Sequence, residues 1–440
     1  MFRDESRKVE RKVRASSQLS YQTEDQLQSS SSRQLSQPRQ SNNPFHVSPS
    51  PLGQPSTPDL DKGVEFFCDN YITFICDRPT GRAALPSSIA WNFLFTNPGY
   101  STACSAAGYA GLANSTGDSG HMIKARNQYV SSIHNIESKI QGNTDLAMSF
   151  ESAIILAVFE VVNAGSWSVH VQGATAILMR MAANDQAMLP RTQLYWIFFV
   201  LVKCLVAEES SPPGIEIWSQ QIQTRMRSDD IPAAPLAYIT SRFTDLYASV
   251  KSGRLVDSEL IIQQATALEI ELDSWEQNLP ISWYFTDKTP ENTSHAFQNT
   301  SHTYHNFWVA RMLSNYRWTR ILVNNLLLFH LSHSHPSRPT ALSTISRLST
   351  DICHSVASFL EPCIIEEGQR SPYPVLSGCV FIIFPLAVAG CGIGVGEEMH
   401  EWVVGTLEML GGRLGIVSAL RLVGVVRRLR GEWAGFGGVE

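Results

Sequence analysis

The chain has 440 residues, 43% of them hydrophobic, with a formal charge of −6 at pH 7 and a sequence pI near 6.1. That is enough apolar material for one large core or two ordinary ones, and the acidic balance excludes nucleic-acid binding by overall basicity, leaving only a local basic arm for such a contact. The charged opening MFRDESRKVERKVRA has no apolar h-region, so no secretory signal is read there; the eight Cys form no C-x-x-C pair and suit reduced core thiols better than a disulfide framework.

Residues 1–14 set Arg3, Arg7, Lys8, Arg11, Lys12 and Arg14 against Asp4, Glu5 and Glu10. Such a run reads either as a solvated, frayed helix or as a basic arm or part of a nuclear-localisation signal. Residues 15–60 are Ser-, Gln- and Pro-rich with few large apolar side chains, which cannot offset the entropy of ordering, so a disordered linker is expected. A folded domain over 61–432 then begins with VEFFCDNYITFIC. Breaks follow at Pro79, Pro86, Pro98 and the Gly117–Gly120 turn.

Helical spacing predicts helices over His121–Ile140 and Asp145–Val162, with Ser166 as N-cap of the next, WSVHVQGATAILMRMA. Further helices are expected near 190–207, 215–227, 235–250 and 257–278, the last stopped by Pro280. A polar stretch at 286–302 precedes Tyr304–Phe329, an unbroken, aromatic-rich segment without Pro or Gly that reads as a long central helix. On an ideal wheel of about 100° per residue, Tyr304, Trp308, Met312, Thr319, Leu322, Val323, Leu326 and Phe329 fall on one side and Arg317, Arg320 and Asn324 gather on another. Those three are the candidate polar pocket or partner contact, set against an ordinary buried ion pair. Helices near 342–360, 375–390, 397–411 and 415–430 complete the chain. With no hairpin dipeptides between alternating runs and no fixed-period repeat, the expected fold class is all-α.

Gly117-Asp118-Ser119-Gly120 echoes a protease nucleophile loop, but lacks the following Gly and the many strands such a barrel needs, so it reads as a helix-connecting turn. The glycines of Gly390–Gly396 miss the G-x-G-x-x-G spacing of a dinucleotide site. His330, His333 and His335 have no closing Cys or acid nearby and read as polar residues of a helix C-terminus, and His170 beside Trp167 as a hydrogen-bonded core histidine. The uncharged segment 371–396 is long enough to span a membrane, but Pro372, Pro374, Pro385 and its glycines argue for a buried helix instead. No six-thiolate binuclear zinc pattern is present, since Cys68 and Cys76 cannot begin one.

Several phrases, in order, resemble fungal-specific transcription factors of the binuclear zinc-cluster class: MFRDES with Val9 and Lys12; FESAIILAVFEVV with GSWSVHVQGATAIL, where Glu160, Trp167, His170, Gly173 and Ala174 match; SWEQNLPISWYF, with Trp275, Leu279, Pro280 and Trp283; WVARMLSNYRWTRILVNNLLL; FPLAVAG; and GIVSALRLV. The resemblance implies a nuclear transcription regulator represented by its all-helical regulatory domain, with no catalytic residue and no cofactor in this chain, zinc belonging only to the cluster. The chain is expected to begin where that cluster should just have ended, so DNA binding is not expected of it as it stands. Implied partners are transcription-machinery proteins or a small-molecule effector, a homodimer being allowed and a membrane not. The competing readings are an α-helical enzyme with an apolar pocket, whose acidic pairs Asp229/Asp230 and Glu208/Glu209 sit beside breaks, and a membrane-associated protein through 371–396. Replacing Arg317 and Arg320 by Met is expected to change reporter transcription while the fold persists.

Overall fold

The computed structural model describes residues 61–76, 98–183, 190–289, 296–360, 370–376 and 378–429. The segment 1–14, the linker 15–60, and Pro79 and Pro86 lie outside the described residues. Helices dominate, as the periodicity predicts. In chain order they begin with α1 (Lys62–Tyr71), strand β1 (Ile72–Cys76), α2 (Pro98–Thr116), α3 (Ser119–Gln141), α4 (Leu146–Asn163) and α5 (Trp167–Ala183). There follow α6 (Pro190–Val206), α7 (Ile215–Gln223), α8 (Ala233–Lys251), α9 (Ser258–Gln277), β2 (Thr286–Lys288) and β3 (Ser301–Thr303). The last elements are α10 (Phe307–His330), α11 (Arg338–Leu360), β4 (Arg370–Leu376), α12 (Gly378–Cys391), α13 (Glu397–Leu414) and α14 (Val417–Arg428).

Local chemistry accounts for most boundaries. Pro98 and Pro190 open helices instead of breaking them, because the first helical residue needs no intrahelical N–H bond. Asp118 turns the Gly117–Gly120 segment into the start of α3 by accepting from Gly120 N at 2.7 Å, while Gly117 takes φ +75°. Asp257 caps α9 through the Glu259 and Leu260 amides. Asn306 caps α10 by accepting from Val309 N at 2.9 Å, so the central helix starts three residues later than its aromatic pattern suggested and Tyr304 lies in the approach to it. Pro385 lies inside α12, which continues through it; the helix is packed between α10, α11, α13 and α14, and that packing holds the turn whose backbone bond proline removes.

The polar stretch before α10 holds an unforeseen feature. β2 and β3 pair antiparallel, Thr286 with Thr303, Asp287 with His302 and Lys288 with Ser301. Three-residue strands with no alternating pattern leave no period to detect. β1 likewise pairs with β4, joining Ile72 to Leu376 across nearly the whole domain.

α10 is the axis. Every residue from Phe307 to Leu328 is buried, with α8, α9, α11, α12 and β1 packed around it. Only its last turn emerges: Phe329, placed with the apolar face on the wheel, is 65% exposed. Trp308, Trp318, Trp196 and Trp283 are among the largest fully buried side chains, and Trp275 stacks on Tyr316 at 4.9 Å while donating from its indole to Pro232 O. These aromatics act through packing, and the indoles of Trp275, Trp283 and Trp318 also donate to acceptors within the fold.

Candidate functional site

A helix buried on all sides must satisfy every charge it carries from its neighbours. α10 carries three arginines, Arg311, Arg317 and Arg320, at 4%, 1% and 4% exposure.

Arg320 meets α9, whose Glu269, Asp273 and Glu276 recur at helical spacing and so line one face. Its Nη2 donates to Glu269 Oε1 at 2.6 Å and Asp273 Oδ1 at 2.7 Å, and its Nη1 to Glu276 Oε2 at 2.9 Å and the Tyr316 hydroxyl at 2.6 Å. Asn324, one turn on, donates to Glu269 Oε2 at 2.6 Å. Arg347 of α11 closes the other side of Glu276 with bonds of 2.9 and 2.8 Å. Burial pushes Glu276 upward, but the hydrogen bonds from Arg347 and Tyr316 outweigh it and hold the carboxyl below its ordinary value. Glu269 is driven the other way: its burial is not fully offset by Arg320 and Asn324. Arg320 itself is held charged: burial acts against its charge, but its bonds to Glu269 and Tyr316 and the Glu269 charge together exceed that cost.

Arg317 belongs to a neighbouring cluster. It donates to the Tyr304 hydroxyl at 2.6 Å, lies 3.4 Å from His302 Nδ1 and 3.8 Å from Asp351 Oδ2. His302, from β3, stacks on Phe285 at 3.9 Å with Asp287 3.4 Å from its Nε2. Burial first, then the positive Arg317 and the nearby His354, push its imidazole down to about 2, so it is neutral at any ordinary pH. Arg347 lies 3.8 Å from Asp351 and joins the two clusters. The three residues singled out in the sequence are thus parts of one seam between α9, α10 and α11: Arg320 and Asn324 converge on Glu269, and Arg317 connects through Asp351 and Arg347.

Arg311 is different. Its guanidinium carbon lies 3.7 Å from the ring centroid of Tyr195 on α6 and 3.3 Å from that of Phe381 on α12, and among the described residues no carboxylate pairs with it.

The other candidates sit apart. His330 donates to or accepts from Ser258 at 3.1 Å, and His335 accepts from Ser337 N in the exposed turn beyond α10. His170 lies 2.7 Å from the Tyr129 hydroxyl and 3.6 Å from Glu160. Asp229 offers only its backbone carbonyl, to the Trp283 indole, while Glu209 pairs with Lys203 and Glu208 with Lys251. No group of three or more His, Cys, Asp or Glu could hold a metal ion among the described residues. The stretch 371–396 is divided between β4 and the 14-residue α12. Among the described residues α4 alone is long and apolar enough to cross a membrane, and 67% of it is buried in the fold. The acidic face of α9 went unremarked although the spacing of Glu269, Asp273 and Glu276 in EIELDSWE is a signal that could have found it; His302 and Asp287 left no signal, because a hairpin brings them to α11 and α10 from outside any helix.

A family model described as the fungal specific transcription factor domain matches residues 88–427. No curated protein matches the chain, and no solved structure does.

Proposed function

Because the chain belongs to the fungal specific transcription factor domain family, matched over residues 88–427, we propose that it works as the helical regulatory domain of a zinc-cluster-type transcription regulator in the nucleus, and not as an enzyme. The single observation that carries this reading is the family match across α2 to α14, which includes the central helix and the helices α8, α9, α11 and α12 packed around it. The sequence carries no six-Cys binuclear zinc pattern, so DNA reading is not assigned to this chain, and the domain's output is assigned to contacts with transcription-machinery proteins or to a small-molecule effector.

The mechanism is a shift between packed states of the helices. The seam through Arg317, Arg320 and Asn324 supports this reading in physical terms. Ion pairs satisfied on three helices at once define one register, and a multiply bonded register around buried arginines changes in discrete steps. An effector or partner that binds one register better than another biases the domain by its differential affinity and by nothing else.

The test is a reporter assay with the full chain fused to a heterologous DNA-binding module. Output above or below that of the module alone supports the reading; output equal to the module alone overturns it. Replacing Arg317 and Arg320 together by Met then tests the seam. Here the structure revises the expectation that the fold simply persists, because the change strands buried carboxylates, so a folding readout accompanies the reporter. Output and fold both unchanged would remove the seam from the mechanism.

A further inference from the structure

Arg311 lies six and nine residues before the two paired arginines, on the opposite side of α10 from Arg320, and it has no anion. Its rings, Tyr195 and Phe381, cover the guanidinium faces and leave the in-plane N–H edge as the place where a counter-charge can act. One turn further along the same face stand Ser314 and Asn315, 3% and 9% exposed. Ser314 Oγ and Asn315 Nδ2 have no hydrogen-bond partner. Asn315 Oδ1 is held by the Trp318 indole at 3.0 Å, which fixes the amide so that its free end is the NH2. Arg311 itself bonds only the neutral Tyr195 hydroxyl, so two buried donor groups beside a guanidinium that no carboxylate of the described residues meets are left unanswered within one helical turn. Buried donors are almost always paired, and a concentrated exception marks a site where something else supplies the acceptor.

We propose that this turn of α10 is a binding site for a small organic monocarboxylate with an apolar body, held by the edge of Arg311 and by the donors of Ser314 and Asn315. A carboxylate is planar and offers two oxygens to the guanidinium fork, so it fits a slot between two rings in a way a tetrahedral oxyanion does not. Tyr195 with Trp308 packed on it at 5.0 Å, and Phe381 with Phe199 beside it at 5.9 Å, supply apolar walls for the rest of such a ligand. Burial, only partly offset by the Tyr195 hydroxyl, pushes the Arg311 guanidinium down to about 9, which leaves it charged at neutral pH with room for a stronger, anionic partner. The site deepens the effector-responsive reading above and rests on it for its role in transcription, while its occupancy is a separate, measurable property of the chain.

The full-length protein is titrated calorimetrically with sodium benzoate and sodium octanoate, and in parallel with benzyl alcohol and inorganic phosphate. At least one of the two carboxylates is expected to bind at one site per chain, with no binding of the alcohol or of phosphate. Arg311→Met is expected to weaken that binding about tenfold or more, the loss of a charge-assisted pair. Asn315→Asp places an anion beside the guanidinium while keeping the acceptor for Trp318; it is expected to abolish carboxylate binding and to raise the melting temperature, and it decides the matter even where Arg311→Met fails to fold. Binding of neither carboxylate, binding of phosphate alone, or undiminished binding to Asn315→Asp would overturn the site. Carboxylate binding with a flat reporter would leave the site standing and remove the regulatory reading; a responsive reporter with no carboxylate binding would do the reverse.

Discussion

The second half of α10 and its first two turns bury arginines in opposite surroundings. Arg320 faces three carboxylates and Arg317 a tyrosine, a histidine and an aspartate, contributed by α9, α11, the β2–β3 hairpin and, for Tyr304, the approach to α10. Arg311 faces two aromatic rings and a pair of unbonded donors. The difference lies in who supplies the anion: the fold at one end and, on the proposal above, a ligand at the other. A domain that switches needs both, a seam that holds one arrangement and a site whose energy depends on an outside molecule.

The largest expected effect separates the two ends directly. Arg320→Met leaves Glu269, Asp273 and Glu276 facing each other without their shared cation, and a loss of about 2–4 kcal/mol in urea unfolding is expected, reduced from a fully buried case because Asp273 and Glu276 keep partial access to water. Asn324→Ala removes one donor to Glu269 and is expected to cost about 1–2 kcal/mol in the same measurement. A stability loss as small as that of a surface pair in Arg320→Met would erase the contrast.

The histidine of the seam gives a pH signature. Folding holds His302 below its ordinary 6.5, near 2, so the folded chain binds fewer protons than the unfolded one between those values. Its contribution to stability is complete above about pH 6.5 and is lost as pH falls from there towards 2. Between pH 7 and 5 the wild-type melting temperature is therefore expected to fall by a few degrees more than that of His302→Gln. Equal slopes would show that the hairpin does not keep the imidazole neutral. Glu151 is pushed up to about 7 by burial and by Asp145, so its contribution is complete at low pH and is lost as pH rises through 7; the paired comparison cancels that opposite slope.

Much of this architecture is legible in the residues. The 3.6 period and the stop at Pro280 place most helices to within a few residues, and the unbroken aromatic segment Tyr304–Phe329 reads as a long central helix, whereas the caps at Asp118 and Asp257 and the burial of Phe307–Leu328 on every side are supplied by the structure. Arg317, Arg320 and Asn324 are visible as a polar stripe on that helix. Their partners are only half visible: the acids of α9 share a helical face, whereas Asp351 and His302 become neighbours through tertiary packing that no local period encodes. Arg311 went unremarked for the same reason in reverse. An arginine amid FWVARML looks like any other until the structure shows that α6 and α12 bring rings and no acid. The two short strand pairs escape because three to seven residues, with Pro372 and Pro374 in β4, carry neither alternation nor a turn dipeptide.

The most direct measurement of the contrast between the two ends is equilibrium urea unfolding of the full chain carrying Arg311→Met, beside Arg320→Met under identical ligand-free conditions. The account expects Arg311→Met to be as stable as the wild type or more stable, because it removes a buried charge that no carboxylate among the described residues neutralises, while Arg320→Met loses about 2 kcal/mol or more. A loss in Arg311→Met equal to that in Arg320→Met would mean that the fold already answers both charges, and would contradict the account.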